Sequence, residues 1–188
     1  MNGGILLAGL AAGAALAKTG LGKLEEFARK FRILPPGAGS AERFAAKCTG
    51  CQLCTRNCPE KIIVPAKGTA GPVSLDLSRG SCRFDCNKCS RVCPTGAIRP
   101  LSLAVKQKTK IAEAHFNPQN CIVFQDDEEC GKCAAVCPTH AITLRKNGTP
   151  RGVNLKLCIG CGACQEICPA PEKAMTIHEI EKQILLEN

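Results

Sequence analysis

Sixteen cysteines fall into four groups of four along 188 residues, and every group ends in Cys-Pro: Cys58-Pro59, Cys93-Pro94, Cys137-Pro138 and Cys168-Pro169. None is left over. The first group, Cys48, Cys51, Cys54 and Cys58, and the last, Cys158, Cys161, Cys164 and Cys168, share the spacing C-x2-C-x2-C-x3-C-P. The second group, Cys82, Cys86, Cys89 and Cys93, gains one residue in its first gap, which holds Arg83, Phe84 and Asp85. The third group, Cys121, Cys130, Cys133 and Cys137, places eight residues between its first two cysteines.

The spacing of the outer groups is the one with which bacterial thiolate ligands hold 4Fe-4S cubanes. Two-residue gaps wrap three thiolates around one corner of a cubane. The third and fourth cysteines, four residues apart on a short helix, can face two separate clusters. The motifs therefore work in pairs, and the expectation is four 4Fe-4S clusters. In each motif the first three cysteines hold one cluster and the fourth crosses to the partner's. Spacing leaves open whether the pairs are sequential or nested, one with four and two with three. Gly50, Gly131, Gly160 and Gly162 suit close backbone approach inside these loops.

Other uses of cysteine fit less well. Cys82, Cys86 and Cys89 alone match the C-x3-C-x2-C loop of radical-SAM enzymes, but the chain has no room for a large barrel beside its other motifs. A zinc site calls for two C-x2-C pairs separated by a loop. A disulfide framework suits a short secreted chain, but the repeated Cys-Pro endings speak for one ligand design used four times. Either would make the chain a structural interaction module.

The chain contains no Trp, no Tyr and only six Phe, so an ordinary apolar core is thin and clusters are expected to serve as core. The formal charge of +9 on its own suggests an acidic partner. Each oxidised cluster with its thiolates carries roughly −2, so four bring the total near +1. Arg79, Arg83, Lys88 and Arg91 around the second motif then read as compensation that favours a reduced cluster. No nucleic-acid partner is expected.

Three segments follow. Residues 1–33 form an N-terminal helical segment: residues 3–17 are an uncharged Gly/Ala/Leu/Ile run ending in Ala15-Leu16-Ala17, like a signal sequence or anchor. Residues 24–31 are amphipathic, so residues 3–33 are a candidate membrane contact. Residues 34–47 hold the break Leu34-Pro35-Pro36-Gly37-Ala38-Gly39-Ser40 and a short helix capped by Ser40. Residues 48–188 carry the four motifs, with strand-like runs at 73–77, 114–116 and 152–157 and a hairpin centred on Asn147-Gly148. Cys93-Pro94-Thr95-Gly96-Ala97-Ile98 is echoed by Cys137-Pro138-Thr139-His140-Ala141-Ile142, an internal repeat. The expected fold class is α+β, with two ferredoxin-like dicluster modules of βαββαβ type behind the helical segment.

Asp126, Asp127, Glu128 and Glu129 in the long gap of motif three are a solvated loop or a place for a basic partner such as a cytochrome. His115, His140 and His178 read as scattered hydrogen-bonding or surface residues. No Rossmann fingerprint, haem-attachment motif or matched nucleophile and base is present, so an electron carrier is expected and not an enzyme.

The chain resembles the NapG/MauM-type polyferredoxins from Pro35-Pro36-Gly37-Ala38 through motif four. Its most specific part is Asn120-Cys121-Ile122-Val123-Phe124-Gln125 before the delayed Cys130-x2-Cys133-x3-Cys137-Pro138. The resemblance implies an exported four-cluster protein relaying electrons from a quinol-oxidising membrane partner to a reductase or cytochrome. It implies a periplasmic or membrane-associated location, although the twin-arginine pair usual in the family is not in this sequence. The alternative is a cytoplasmic electron-input subunit of a larger oxidoreductase.

Overall fold

The computed structural model describes residues 32–65, 73–125 and 129–187. The apolar run at 3–17, the amphipathic stretch at 24–31 and the acidic residues Asp126, Asp127 and Glu128 lie outside them. Helix and strand are mixed, in keeping with an α+β chain, and every element is short except one ribbon.

Helix α1 (Ala41–Lys47) starts where Ser40 accepts the Arg43 backbone N–H at 3.3 Å. Helix α2 (Leu53–Asn57) carries Cys54, and the two-residue strands β1 (Ile63–Val64) and β2 (Ser74–Leu75) pair antiparallel. The expected strand at 73–77 pairs only at these two residues. Val73, Leu75 and Leu77 are nonetheless buried and their neighbours are not, the alternation of an extended chain over a core. Helices α3 (Lys88–Arg91) and α4 (Leu103–Gln107) follow.

Strand β3 (Thr109–Phe116) runs well past the three residues expected, because its partner is the long terminal strand β6 (Met175–Leu185). They pair antiparallel from Phe116 and Met175 to Thr109 and Leu185, with a register shift between Lys110 and Ala112. Between them lie helices α5 (Ile122–Gln125), α6 (Lys132–Ala135) and α7 (Ala163–Ile167) and the strands β4 (Ile142–Leu144) and β5 (Pro150–Val153). The latter two form the hairpin that Asn147-Gly148 signalled.

The stiff break at 34–40 packs into the core. Leu34, Pro35 and Ala38 are buried in the first core beside Phe44, Ile62 and Ile98. The Gln183 carboxamide fixes this segment from β6. Its Oε1 accepts from Gly37 N at 2.9 Å and Gly39 N at 3.1 Å, and its Nε2 donates to the carbonyls of Leu34 at 3.0 Å and Pro35 at 2.9 Å. A stiff Pro-Pro turn has few backbone groups free to pair with itself, and a side chain from the far end of the chain supplies the partners.

Two further cores surround motifs three and four, and both contain cysteines as packing residues: Cys133, Cys158 and Cys164 in one, Cys121 and Cys168 in the other.

Candidate metal centres

Among the described residues three small cavities, of about 30, 20 and 20 Å³, are each lined by four cysteines. The first takes Cys82, Cys86 and Cys89 from motif two and Cys58 from motif one. The second takes Cys158, Cys161 and Cys164 from motif four and Cys137 from motif three. The third takes Cys121, Cys130 and Cys133 from motif three and Cys168 from motif four. The pairing that spacing left open is thus sequential in the fold, one with two and three with four.

The remaining four cysteines gather in the first half. Burial pushes the Cys48 thiol up, the Gly50 amide opposes this, and charge on Cys93 and Cys51 adds to it. Burial likewise raises Cys54, reinforced by charge on Cys48 and Cys51. Cys93 thus lies within electrostatic reach of Cys48 in motif one, while Cys58 of motif one lines the cavity of motif two. The sequential order follows from packing, since α2 lies against α3 and α6 against α7. The third cysteines of each pair, Cys54 with Cys89 and Cys133 with Cys164, sit on these helices, and Cys89 and Cys164 feel the charge of their partners.

The chain reversal that returns the third cysteine to the same cavity is made by a left-handed residue. Gly131 and Gly162, at φ 98° and 90°, start α6 and α7, and Gln52 at φ 58° starts α2. Gly160 has a different reason to be glycine. A Cβ there would stand 2.2 Å from the Ala112 carbonyl oxygen, so the motif-four loop can lie against β3 only without one.

The repeated Cys-Pro-Thr sequence has a common purpose. Ile98 N donates to Cys93 Sγ and Ala141 N donates to Cys137 Sγ, each at 3.3 Å, with the Thr95 and Thr139 hydroxyls 3.7 Å from the same sulfurs. For Cys93 these donors outweigh burial and hold the thiol below its ordinary range. Donors aimed at sulfur suit a thiolate that must carry charge in a dry site. Other thiols stand high without a bound cation. Burial, then neighbouring thiolate charge, pushes Cys89 and Cys164 up to about 12, and Cys133 and Cys161 reach about 11 chiefly through burial. Iron bound there would displace protons and supply the missing positive charge.

All sixteen cysteines are free thiols, and among the described residues no group of three or more Cys, His, Asp or Glu is gathered closely enough for a single metal ion. Each of the three cavities is lined by four cysteines, a donor set of the number and kind that holds a 4Fe-4S cubane.

The insertion in motif two has a partner that sequence reading missed. Lys106 on α4 is 2% exposed, and its Nζ donates to the carbonyls of Arg83 and Phe84 while lying 5.9 Å from the Phe84 ring. Burial raises the Cys82 thiol, and the Lys106 charge opposes that rise. Arg83, read as a compensating cation, instead pairs on the surface with Asp85 at 2.9 Å, with Glu60 4.0 Å away. The histidines are not all scattered. His115 on β3 and His178 on β6 meet with ring centroids 4.3 Å apart and planes tilted by 41°, because antiparallel pairing brings Glu113 opposite His178 and places His115 on the adjacent diagonal.

Models of 4Fe-4S dicluster domains match residues 47–98, 81–141 and 128–171. The ferredoxin-type protein NapF of Escherichia coli K12 is 30% identical over 142 residues, covering 73% of this chain and 80% of that protein. The methylamine utilization ferredoxin-type protein MauM of Methylophilus methylotrophus is 31% identical over 181 residues, 88% of this chain and 80% of that protein. The ferredoxin-type protein NapG of Escherichia coli K12 is 28% identical over 184 residues, with shares of 89% and 80%.

Proposed function

The chain belongs to the NapG/MauM-type ferredoxins, iron–sulfur proteins of electron transfer, and from that premise we propose that it relays single electrons through four 4Fe-4S clusters. The observation that carries the number is the repeated arrangement of three cysteines from one motif with the last cysteine of its partner. In this reading Cys48, Cys51, Cys54 and Cys93 hold the fourth cluster, and all sixteen cysteines are ligands. The molecule is then two dicluster modules joined by the β3–β6 ribbon.

Each cluster, when bound, takes up and releases one electron. The chain buries Cys54, Cys121, Cys133, Cys158, Cys164 and Cys168, aims N–H groups at Cys93 and Cys137, and sets a buried ammonium beside Cys82. These are the means by which a protein sets cluster potentials.

The partners we propose are a quinol-oxidising membrane protein as donor and a cytochrome or reductase as acceptor, with the protein in the periplasm or at the membrane. Support for a membrane contact comes from the apolar residues 3–17. No helix among the described residues is long and apolar enough to cross a membrane.

Iron and acid-labile sulfide on anaerobically purified full chain, with low-temperature EPR after dithionite, test the proposal. About sixteen of each per chain with coupled reduced-cluster signals is the expected result. Zinc or no metal in a folded sample would overturn it.

A further inference from the structure

A groove of about 530 Å³ without any cysteine opens on the second half of the molecule, between the end of β3 and the β4–β5 hairpin. Its position is its first informative property. Phe116 and Pro150 line both this groove and the cavity of Cys121, Cys130, Cys133 and Cys168. Ala114 and Val153 line both the groove and the cavity of Cys137, Cys158, Cys161 and Cys164. One layer of side chains separates a bound molecule from two proposed centres.

Its chemistry is the second. Arg145, Arg151 and His115 are on its wall, and no carboxylate is among the residues that line it. Arg145 and Arg151 are exposed, and neither pairs with a carboxylate among the described residues. Between these groups lie Phe124, 62% exposed, and Leu155, 40% exposed. Cationic edges around an exposed aromatic and a leucine are the composition of a protein-docking surface. A free phosphate would leave Phe124 and Leu155 wet, and a flat bilayer does not enter a concavity.

We propose that this groove docks an acidic redox protein, whose carboxylates meet Arg145 and Arg151 while an apolar residue settles on Phe124 and Leu155. One electron crosses there: the proposed centre beneath is oxidised or reduced by one electron, the partner's one-electron centre changes by the same amount in the opposite sense, and no bond or proton moves. The basic groove therefore contrasts with the expectation from the acidic run of motif three, which pointed to a basic partner. The proposal rests on the electron-transfer reading above.

An acidic plastocyanin and a basic cytochrome c serve as probes, since both accept one electron. Binding is measured by calorimetry at low ionic strength with holoprotein and plastocyanin both oxidised, so that no electron moves. Rates follow by stopped flow with reduced holoprotein. The variant Arg145→Glu/Arg151→Glu, checked for unchanged iron content, is expected to lose about tenfold in plastocyanin affinity and rate and most of the salt dependence. Cytochrome c should not be slowed, and the exposed control Arg99→Glu/Lys108→Glu should behave as wild type. Wild-type plastocyanin binding in the groove variant, or an equal loss in the control, would overturn the docking site alone. Reduced protein that passes electrons to neither acceptor would overturn the electron-transfer reading and the docking site with it.

Discussion

The backbone N–H of Cys82 donates to the carbonyl of Cys161 at 2.8 Å. This bond joins the first cysteine of motif two to the second cysteine of motif four, so the cavities they line are neighbours across the join between the halves. The Gln165 carboxamide reinforces it, donating to the Leu77 carbonyl at 3.2 Å and accepting from Ile177 N at 2.8 Å. Electrons passing from one half to the other have their short path here, through the proposed centres of motifs two and four. Their reduced states should be spin-coupled. EPR of Cys86→Ala should show that coupling lost while the signals of the second half persist; unchanged coupling would remove this path.

The sequential crossing predicts an asymmetric effect of single ligands. Cys58→Ser should cost the centre of Cys82, Cys86 and Cys89 and spare that of its own motif, whereas Cys168→Ser should cost the centre of Cys121, Cys130 and Cys133. Each variant should retain about three quarters of the iron. Loss of the centre in the mutated cysteine's own motif would contradict the crossing.

Cluster removal should unfold the chain. Cysteines are packing members of all three cores, and the groups they surround are the interior of a molecule without Trp or Tyr. Without them the remaining apolar contacts do not offset the conformational entropy of the chain. Circular dichroism after anaerobic chelation should show loss of ordered structure, and a native-like spectrum would show that the polypeptide stands alone.

Local signals were legible and distant ones were not. Ser40 at a helix start and Asn147-Gly148 at a hairpin act through neighbours a few residues away, and both elements formed as their chemistry dictates. The grouping of the cysteines was legible too, since the first three of motifs two, three and four each line one cavity. The order of pairing was not, because every motif offers the same ligands and only the packing of α2 on α3 and α6 on α7 distinguishes partners. Gln183 looks like any polar residue of an exposed strand, and its purpose depends on Leu34, Pro35, Gly37 and Gly39 at the other end of the chain. The same distance hid the packing of the break at 34–40 into the core.

That clasp is itself testable. Gln183→Leu removes both ends of the carboxamide and leaves the amides of Gly37 and Gly39 and the carbonyls of Leu34 and Pro35 without it. Holoprotein stability should fall by about 1–3 kcal/mol, read as a lower denaturant midpoint with iron content initially unchanged. A midpoint equal to wild type would mean that solvent replaces the clasp at no cost.

Lys106 offers the most direct test of how this chain sets a potential. Its ammonium is buried, held by the Arg83 and Phe84 carbonyls on the inserted residues of motif two, and its charge acts on Cys82. An added electron makes the proposed centre more negative, so a fixed positive charge beside it stabilises the reduced form and raises the potential. At an effective dielectric near 20, one charge several ångströms away is worth on the order of 100 mV. Lys106→Met keeps much of the side-chain volume and removes the charge, so the potential of that centre should fall by about this amount while the others hold. Lys106→Arg should restore it in part, because the charge returns while the hydrogen-bond geometry differs. A packing role alone predicts a different pattern: lower stability or iron content in Lys106→Met, with the midpoint of each remaining centre unchanged in an EPR-monitored titration. Arg83→Gln is the contrast, because that guanidinium is exposed and already paired with Asp85. Its removal should move the same midpoint much less, since solvent screens a surface charge.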